Sequence, residues 1–220
     1  MSKKIVFLFF ILTLTTICYA QEEDAGKGWI GGGFFYNNHS PDTFDGQSFY
    51  SSDDASFYAP QWENAPGYFI TGGVLIKSSG SSLEFGNSIT YQRAFHSGIH
   101  TDGSLDGIFN EVMLSMAWSF FEIVDMFQPY ISAGLSWSWM SVENGVILSD
   151  GSRLKAVYPG LGIHMGAGMF IELFDFILMD ISGGYRILDY LSGTYDGFSR
   201  HFEGIGNGWY IKLGTNVIVK

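Results

Sequence analysis

The sequence has 220 residues, of which 22 are acidic and 11 are basic, and its formal net charge is −11 at pH 7. This acidic excess argues against nucleic acid as a partner, because binding to a phosphate backbone requires basic patches. Charged residues make up only 15% of the chain and aromatic residues 17%, which leaves little charge for the exterior of a soluble domain.

The first 20 residues have the features of a secretory signal peptide. Lysines at positions 3 and 4 precede an apolar run over residues 5–14, and residues 18–20 end in a small residue that suits cleavage. We expect cleavage between Ala20 and Gln21, so that residues 21–220 form one barrel domain. Cleavage would remove Cys18, the only cysteine, and would leave nine basic and 22 acidic residues.

Alternation of apolar and polar residues predicts eight strands in the remaining chain. In chain order they span residues 29–37, 68–77, 83–95, 108–120, 130–140, 160–171, 179–187 and 209–219. The connections between them alternate long and short, and the long ones span residues 38–67, 96–107, 141–156 and 188–208.

The middle strands have one apolar face and one face of small polar residues. Residues 131–139 are apolar at every odd position and Ser or Gly at every even position, and residues 161–169 repeat the alternation. A soluble sheet turns charged residues to water, whereas this pattern suits a wall between lipid and a narrow interior. The sequence therefore predicts an all-β, eight-stranded antiparallel up-and-down transmembrane β-barrel in an outer membrane. Because long extracellular loops alternate with short periplasmic turns in such barrels, both termini should be periplasmic.

Two motifs resemble those of the small eight-stranded outer-membrane barrels of the OmpA, OmpX and OmpW type. Residues 128–134 resemble the polar-Pro-Tyr start of a glycine-containing strand in that group. The last strand resembles the signal read by the barrel assembly machinery, which here would consist of Lys212, Gly214, Val217 and Val219. Bacterial members usually end on an aromatic residue, whereas this chain ends on Lys220. The resemblance implies outer-membrane lipid and the assembly machinery as partners, and we expect a monomer without a cofactor.

The faces of the predicted strands assign six charged side chains to the interior. An eight-stranded barrel has an interior just wide enough for side chains, and an unpaired charge there has a large desolvation cost. We therefore predict two ionic layers and no continuous aqueous pore, against the alternative that the six side chains reach water separately at the rims. The outer layer would consist of Glu111, Arg186 and Lys212, and the periplasmic layer of Lys77, Glu84 and Asp180.

Aromatic residues near the ends of the predicted strands favour an interfacial girdle over packing in a core. The predicted members of this girdle are Trp118, Trp137, Trp139, Phe170, Tyr185 and Trp209.

The histidines offer two weaker candidates for chemistry. His96 and His100 could bind a metal ion. Two histidines in a glycine-containing loop do not make a metal site by themselves, so we favour the interpretation that both are solvated loop residues. His164 lies on the lumen face of the sixth strand, where we favour a hydrogen-bonded side chain over a catalytic base or a pH-sensitive gate. Because no motif of the lipid-A-modifying barrel enzymes can be placed in this sequence, we expect no catalytic and no metal site.

The predicted function is a structural or surface-interaction role carried by the four long connections, with an extracellular ligand that the sequence does not identify. These connections contain twelve acidic residues against Arg153, Lys155 and Arg200, which predicts an acidic outer rim. One alternative is a narrow conduit for small apolar molecules, as in OmpW-like proteins, which an apolar lumen lining would favour. Another is a soluble lipocalin-like barrel, which would need a charged exterior.

Overall fold

The computed structural model describes residues 27–38, 48–51, 55–58, 61–77, 84–100, 103–119 and 126–219. The predicted signal peptide and its cleavage site lie outside these residues, so the domain boundary at residue 21 stays a prediction. Within the described ranges, no helix is long and apolar enough to cross a membrane.

The described residues form eleven strands. They are β1 (Lys27–Asn37), β2 (Ser48–Ser51), β3 (Ala55–Tyr58), β4 (Gln61–Trp62), β5 (Ala65–Lys77), β6 (Glu84–His100), β7 (Gly103–Ser119), β8 (Phe127–Leu148), β9 (Arg153–Phe174), β10 (Ile177–Tyr195) and β11 (Phe198–Val219).

Eight of these eleven strands close into an antiparallel barrel. The order around the barrel is β1, β5, β6, β7, β8, β9, β10 and β11, and β11 pairs with β1 to complete the circle. The β2–β3 hairpin adds to the end of β8, and β4 pairs with β6. The predicted closed eight-stranded barrel is therefore confirmed, and the three short strands lie in a segment predicted to be a loop.

The two ends of the barrel differ in their connections. One end is here called the turn end. It contains the start of β1, the end of β11 and the connections β5–β6, β7–β8 and β9–β10. The other, here called the hairpin end, carries the connections β1–β5, β6–β7, β8–β9 and β10–β11. The predicted long connections therefore all lie at one end, as the alternation in the sequence indicated.

The prediction of a long loop is wrong for three of the four long connections, because the strands continue through them. β8, β9 and β11 have 22 residues each and β10 has 19, so residues 141–156 and 188–208 are mostly strand. Residues 96–107 likewise belong mainly to β6 and β7. A strand of this length extends about 70 Å at 3.2–3.4 Å per residue, far more than an apolar band about 25 Å tall needs. The alternation is lost from the sequence there because the outward residues are no longer uniformly apolar.

Tight turns close two of the extended hairpins. Asp196 and Gly197 both have positive φ, at 41° and 80°, and connect β10 directly to β11, as a two-residue hairpin turn requires. At the β8–β9 turn Gly151 has φ 82°, and hydrogen bonds from Ser152 hold the pKa of Asp150 below its usual value. The Asn-Gly pair at residues 144–145, within the predicted connection 141–156, lies in a bulge of β8.

Outward side chains of the barrel wall are apolar although they are exposed. Phe34 is 77% exposed and Met165 is 66% exposed, and many other large apolar side chains of the wall are also exposed. The buried side chains alternate with them and point into the lumen, where polar, charged and aromatic groups are found. This inverted arrangement is typical of a barrel wall that faces lipid.

Candidate functional site

A buried ion pair crosses the lumen between two non-adjacent strands. Glu111 on β7 and Arg186 on β10 are both fully buried, and Arg186 Nη1 donates to Glu111 Oε2 over 3.2 Å. The Arg186 guanidinium also lies over the ring of Phe109, with Cζ 4.6 Å from the ring centroid. Because a single buried charge would have a large desolvation penalty, the burial of each group depends on the other.

Two amide side chains extend this ion pair into a network. Gln92 on β6 donates through Nε2 to Glu111 Oε2, and Arg186 Nη2 donates to Asn37 Oδ1 on β1. Sequence reasoning did not single out either amide. The signal that could have found them is face parity, since Gln92 and Asn37 both belong to the lumen face of their strands.

His96 continues the network towards the hairpin end. Asn37 Nδ2 lies 3.1 Å from His96 Nε2, and His96 Nδ1 lies 2.8 Å from the backbone oxygen of Glu63. Since the Asn37 amide oxygen already accepts from Arg186, its NH2 group donates to Nε2, and His96 carries its proton on Nδ1. The prediction of a solvated loop residue is wrong for His96, because this side chain is buried and belongs to β6. The side chain of His100 lies outside the described residues.

Lys212 and Asp180 lie in the lumen but do not join the Glu111–Arg186 pair. Lys212 Nζ is 3.3 Å from Met113 Sδ and lies over the rings of Phe69 and Tyr210, at 5.6 and 4.8 Å from their centroids. Asp180 Oδ1 accepts a hydrogen bond of 2.8 Å from the Tyr130 hydroxyl. Among the described side chains, neither of the two makes an ion pair within 4.0 Å.

The predicted periplasmic layer is only partly within the described residues. The backbones of Lys77 and Glu84 face each other in the β5–β6 ladder at the turn end, while their side chains lie outside the described residues. Asp180 has the partner given above. The two-layer arrangement therefore stays a prediction.

An apolar cluster lies in the lumen, mainly on the hairpin side of the ion pair. Its central rings are Phe57 and Tyr158, whose centroids are 6.3 Å apart in an edge-to-face arrangement. The sequence indicated a lumen of glycine, serine and charge, so this apolar half was not predicted. The cluster, which also reaches Ala65, Phe69 and Ala94, includes Phe35, Phe57, Phe109, Met140, Val142, Val146, Ala156, Tyr158, Leu188 and Tyr190.

Glycines make room for the large side chains of the lumen. A Cβ atom on Gly134 would lie 2.7 Å from His164 Cε1, and one on Gly168 would lie 2.5 Å from the Tyr130 hydroxyl oxygen. Both distances are far inside van der Waals contact. The glycine stripe of the middle strands is therefore the sequence signature of bulky inward residues on neighbouring strands.

His164 is a buried lumen side chain whose Nε2 lies 3.0 Å from Ser115 Oγ. A Ser–His pair can activate a nucleophile when a third group orients the histidine. Within the described part of the chain His164 Nδ1 has no hydrogen-bond partner, so this orienting group is missing. The same residues include no group of three or more His, Cys, Asp or Glu side chains that could hold a metal ion.

Most of the predicted girdle residues lie on the outer wall, and one does not. Trp137 is 59% exposed, Tyr185 and Trp209 are also exposed, and Trp118 and Trp139 are partly exposed. The prediction is wrong for Phe170, which is buried in the lumen and stacks on Tyr130 with a centroid separation of 4.6 Å. Its even position on the strand already belonged to the inner face.

No protein-family model matches the sequence, and no curated protein matches it. Solved structures are similar to the whole barrel. The outer-membrane protein OprG from Pseudomonas aeruginosa is 14% identical over 90% of this chain and 97% of its own, with a TM-score of 0.55. The outer-membrane protein AlkL in DMPC bilayers is 13% identical over 89% of this chain and 90% of its own, with a TM-score of 0.51.

A Neisserial surface protein, NspA, is 16% identical over 87% of this chain and 97% of its own, with a TM-score of 0.49. At these identities the similarity concerns the fold alone. The similarity to OprG and AlkL supports this fold, as do the strand order and the inverted wall described above. The chain therefore has the closed eight-stranded antiparallel fold of the small outer-membrane barrels.

Proposed function

We propose that this chain is an outer-membrane protein with a structural or surface-interaction role carried by the hairpin end of its barrel. The observation that carries the proposal is the apolar cluster in the hairpin half of the lumen, which packs next to the Glu111–Arg186 pair. A cluster in this place disfavours a continuous water path through the lumen and a porin-like role. The activity would then reside at the hairpin end of the barrel and not in its lumen.

The outer wall supports a location in the membrane. Large apolar side chains are exposed around the barrel, which would be unfavourable in water and is favourable in lipid. In the proposed orientation the turn end and both termini face the periplasm, and the extended hairpins stand outside the membrane.

The hairpin end would present a mainly acidic surface to a partner. Lys155 and Glu143 pair there at 2.7 Å, both largely exposed, so one of the few cations is already partnered. An acidic rim repels anions and raises the local concentration of cations, so the proposed partner is a cationic surface or one bridged by divalent cations. The exposed charged residues described at this end are Glu63, Asp106, Glu143, Asp150, Arg153, Lys155, Asp189 and Asp196.

Recording from purified protein in a planar lipid bilayer tests the closed lumen. We expect no stable open channel from the folded barrel. The Glu111→Ala/Arg186→Ala double variant removes the ion pair and should give transient openings if the pair helps to block the lumen. Steady conductance of the wild-type barrel that this double substitution leaves unchanged would contradict the proposal.

A conduit for small apolar molecules is the second candidate, and the apolar cluster is the observation that favours it. Its side chains would give an apolar solute a lining in the outer half of the lumen. Uptake of an apolar fluorescent probe into protein-containing liposomes separates the two functions. Faster uptake than in protein-free liposomes, reduced by Leu188→Asn in the cluster, would favour the conduit.

We also propose that the barrel has no catalytic role. The observation in support is that the Ser115–His164 pair lacks an orienting third group among the described residues. Incubation of the folded barrel with lipid A, followed by mass spectrometry of the lipid, tests this. A mass change that Ser115→Ala abolishes would contradict it.

A further inference from the structure

The half of the lumen nearer the turn end contains a cavity of about 60 Å³. Lys212, Phe69 and Met113 bound it on the side of the ion pair, and Trp29 and Phe170 on the side of the turn end. Since a cavity needs roughly 10–15 Å³ to hold one water molecule, this cavity has room for a small molecule. The ion pair and the apolar cluster lie between this cavity and the hairpin end, so the proposed route of access is the turn end.

Lys212 lines this cavity with an incomplete set of partners. Its side chain is only 7% exposed, and an ammonium group has three hydrogen-bond donors. In the described part of the chain, its one hydrogen-bond acceptor is the Met113 sulfur, which is a weak acceptor, and the rings of Phe69 and Tyr210 cover it elsewhere. No carboxylate of the described residues lies within 4.0 Å of Nζ.

The two nearest lumen carboxylates are engaged with other groups. Glu111 accepts from Arg186 and Gln92, on the hairpin side of Lys212. Asp180 faces the same cavity but accepts from Tyr130. A buried ammonium beside a space of this size would therefore gain an oxygen acceptor from a molecule that enters the cavity.

We propose that this cavity binds a small carboxylate of the size of acetate, held by a charge-assisted hydrogen bond from Lys212. A carboxylate oxygen supplies the acceptor that Lys212 lacks, and hydrogen bonds between ionised partners are the strong ones in proteins. The apolar part of the ligand packs against Phe69, Met113 and Phe170, which favours acetate over an inorganic anion such as chloride. This site goes beyond the proposed surface role, because binding from the turn end requires no path through the barrel.

Asp180 gives the site a second feature that can be tested. Its carboxyl group lines the same cavity, so its negative charge opposes the entry of an anion. Removing that charge while keeping its shape should therefore strengthen binding. Loss of the positive charge at Lys212 should weaken it, so the two residues shift affinity in opposite directions.

Titration of the folded barrel in detergent micelles with sodium acetate, followed by amide NMR shifts, tests the proposal. Sodium chloride at matched concentration serves as the reference. We expect saturable shifts at cavity-lining positions such as Thr71 and Ser115. Lys212→Met should weaken binding at least tenfold, and Asp180→Asn should strengthen it at least threefold. The exposed matched controls Lys155→Met and Asp189→Asn should leave binding unchanged.

Three outcomes would overturn the site. They are shifts that do not saturate, acetate binding that Lys212→Met leaves intact, and tighter binding of methylammonium than of acetate with loss in Asp180→Asn. Heat-dependent gel migration reports whether each variant is folded. If Lys212→Met does not fold, Lys212→Gln keeps polarity at the position, and the Asp180→Asn result tests the sign independently. Channel recordings do not enter this test, so failure here leaves the proposed surface role intact.

Discussion

At the residue scale, the lumen depends on buried charges that have very different partners. Arg186 combines a carboxylate, an amide oxygen and an aromatic face, whereas Lys212 has a sulfur atom and two aromatic faces. A guanidinium has five donors in a rigid fork and an ammonium is a compact point charge, so the two residues are not interchangeable here. The Arg186 site is built from the protein alone, while the Lys212 site has space beside it.

Arg186→Met should strongly destabilise the barrel. The substitution leaves the Glu111 carboxylate buried without its counter-ion, and breaking a buried pair in this way costs about 3–5 kcal/mol. The Glu111→Leu/Arg186→Met double variant should be less destabilised than Arg186→Met, since no charge remains unpaired. Urea unfolding in lipid vesicles measures each free energy of unfolding. A double variant no more stable than Arg186→Met would show that the network, and not the unpaired charge, controls stability.

The exposed Lys155–Glu143 pair provides the matched control for that measurement. Both side chains are largely exposed, and ion pairs in water contribute only about 0–1 kcal/mol. We expect Lys155→Met to change the free energy of unfolding by no more than that amount. An effect as large as that of Arg186→Met would mean that burial does not explain the difference.

Gly168→Ala should destabilise the barrel through a steric clash with Tyr130. The added Cβ would lie 2.5 Å from the Tyr130 hydroxyl, and overpacking of this kind costs about 1–3 kcal/mol. Gly72→Ala is the matched control, since its Cβ would have its nearest contact at 3.5 Å from the Trp29 backbone oxygen. Thermal unfolding followed by gel migration compares the two. Equal midpoints would refute the role assigned to the glycine stripe.

At the element scale, the extended hairpins have short turns that constrain their register. The β10–β11 pairing runs from Ile177 opposite Val217 to Tyr195 opposite Phe198, with one irregularity near Tyr190. A two-residue turn allows one register, and a slip by one residue would turn every inward side chain outward. The Asp196-Gly197 turn therefore helps to hold the lumen residues of β10 in place.

Gly197→Ala should destabilise this hairpin without any steric clash. Gly197 has φ 80°, and a Cβ atom added to it would have no other atom within 4 Å. The cost is therefore purely conformational, about 1–2 kcal/mol. Hydrogen exchange of the β10 and β11 amides near the turn should accelerate, while exchange near Asp180 should not change. Uniform acceleration along both strands would instead indicate loss of global stability.

At the scale of the whole molecule, the barrel combines a lipid-facing wall with two unequal ends. The hairpin end is extended and acidic and has the apolar cluster inside it, and the turn end has the cavity inside it. This asymmetry gives the proposed orientation a direct test.

Cysteines introduced at the two ends should differ in their reactivity on intact cells. Asp150→Cys and Asp196→Cys lie at the hairpin end and should react with an impermeant maleimide, because this end is proposed to be outside. Asp175→Cys, equally exposed at the turn end, should react only after the outer membrane is opened. The reverse pattern would invert the topology. Recovery of the protein in the soluble periplasm would refute the membrane location itself.

The sequence by itself determined the barrel wall and most of the inward set. Lipid on one side and a crowded lumen on the other require opposite polarities at alternate residues. The alternation is therefore visible in the sequence wherever a strand crosses the membrane. Face parity therefore placed Glu111, Arg186, His164, Lys212 and Asp180 inside. It also shows that Phe170, assigned to the girdle by its nearness to a strand end, belonged to the inner face.

The tertiary structure decided what parity cannot express. β8 to β11 continue past the stretch in which the outward residues are uniformly apolar, and the sequence there resembles a loop, so their length was not predictable. The partners of each charge depend on which strands face each other across the lumen. Glu111 and Arg186, for example, are 75 residues apart in the sequence. The apolar cluster likewise joins Phe57 from a predicted loop to Tyr158 from the start of β9. These contacts exist only because closure of the barrel brings non-neighbouring strands together.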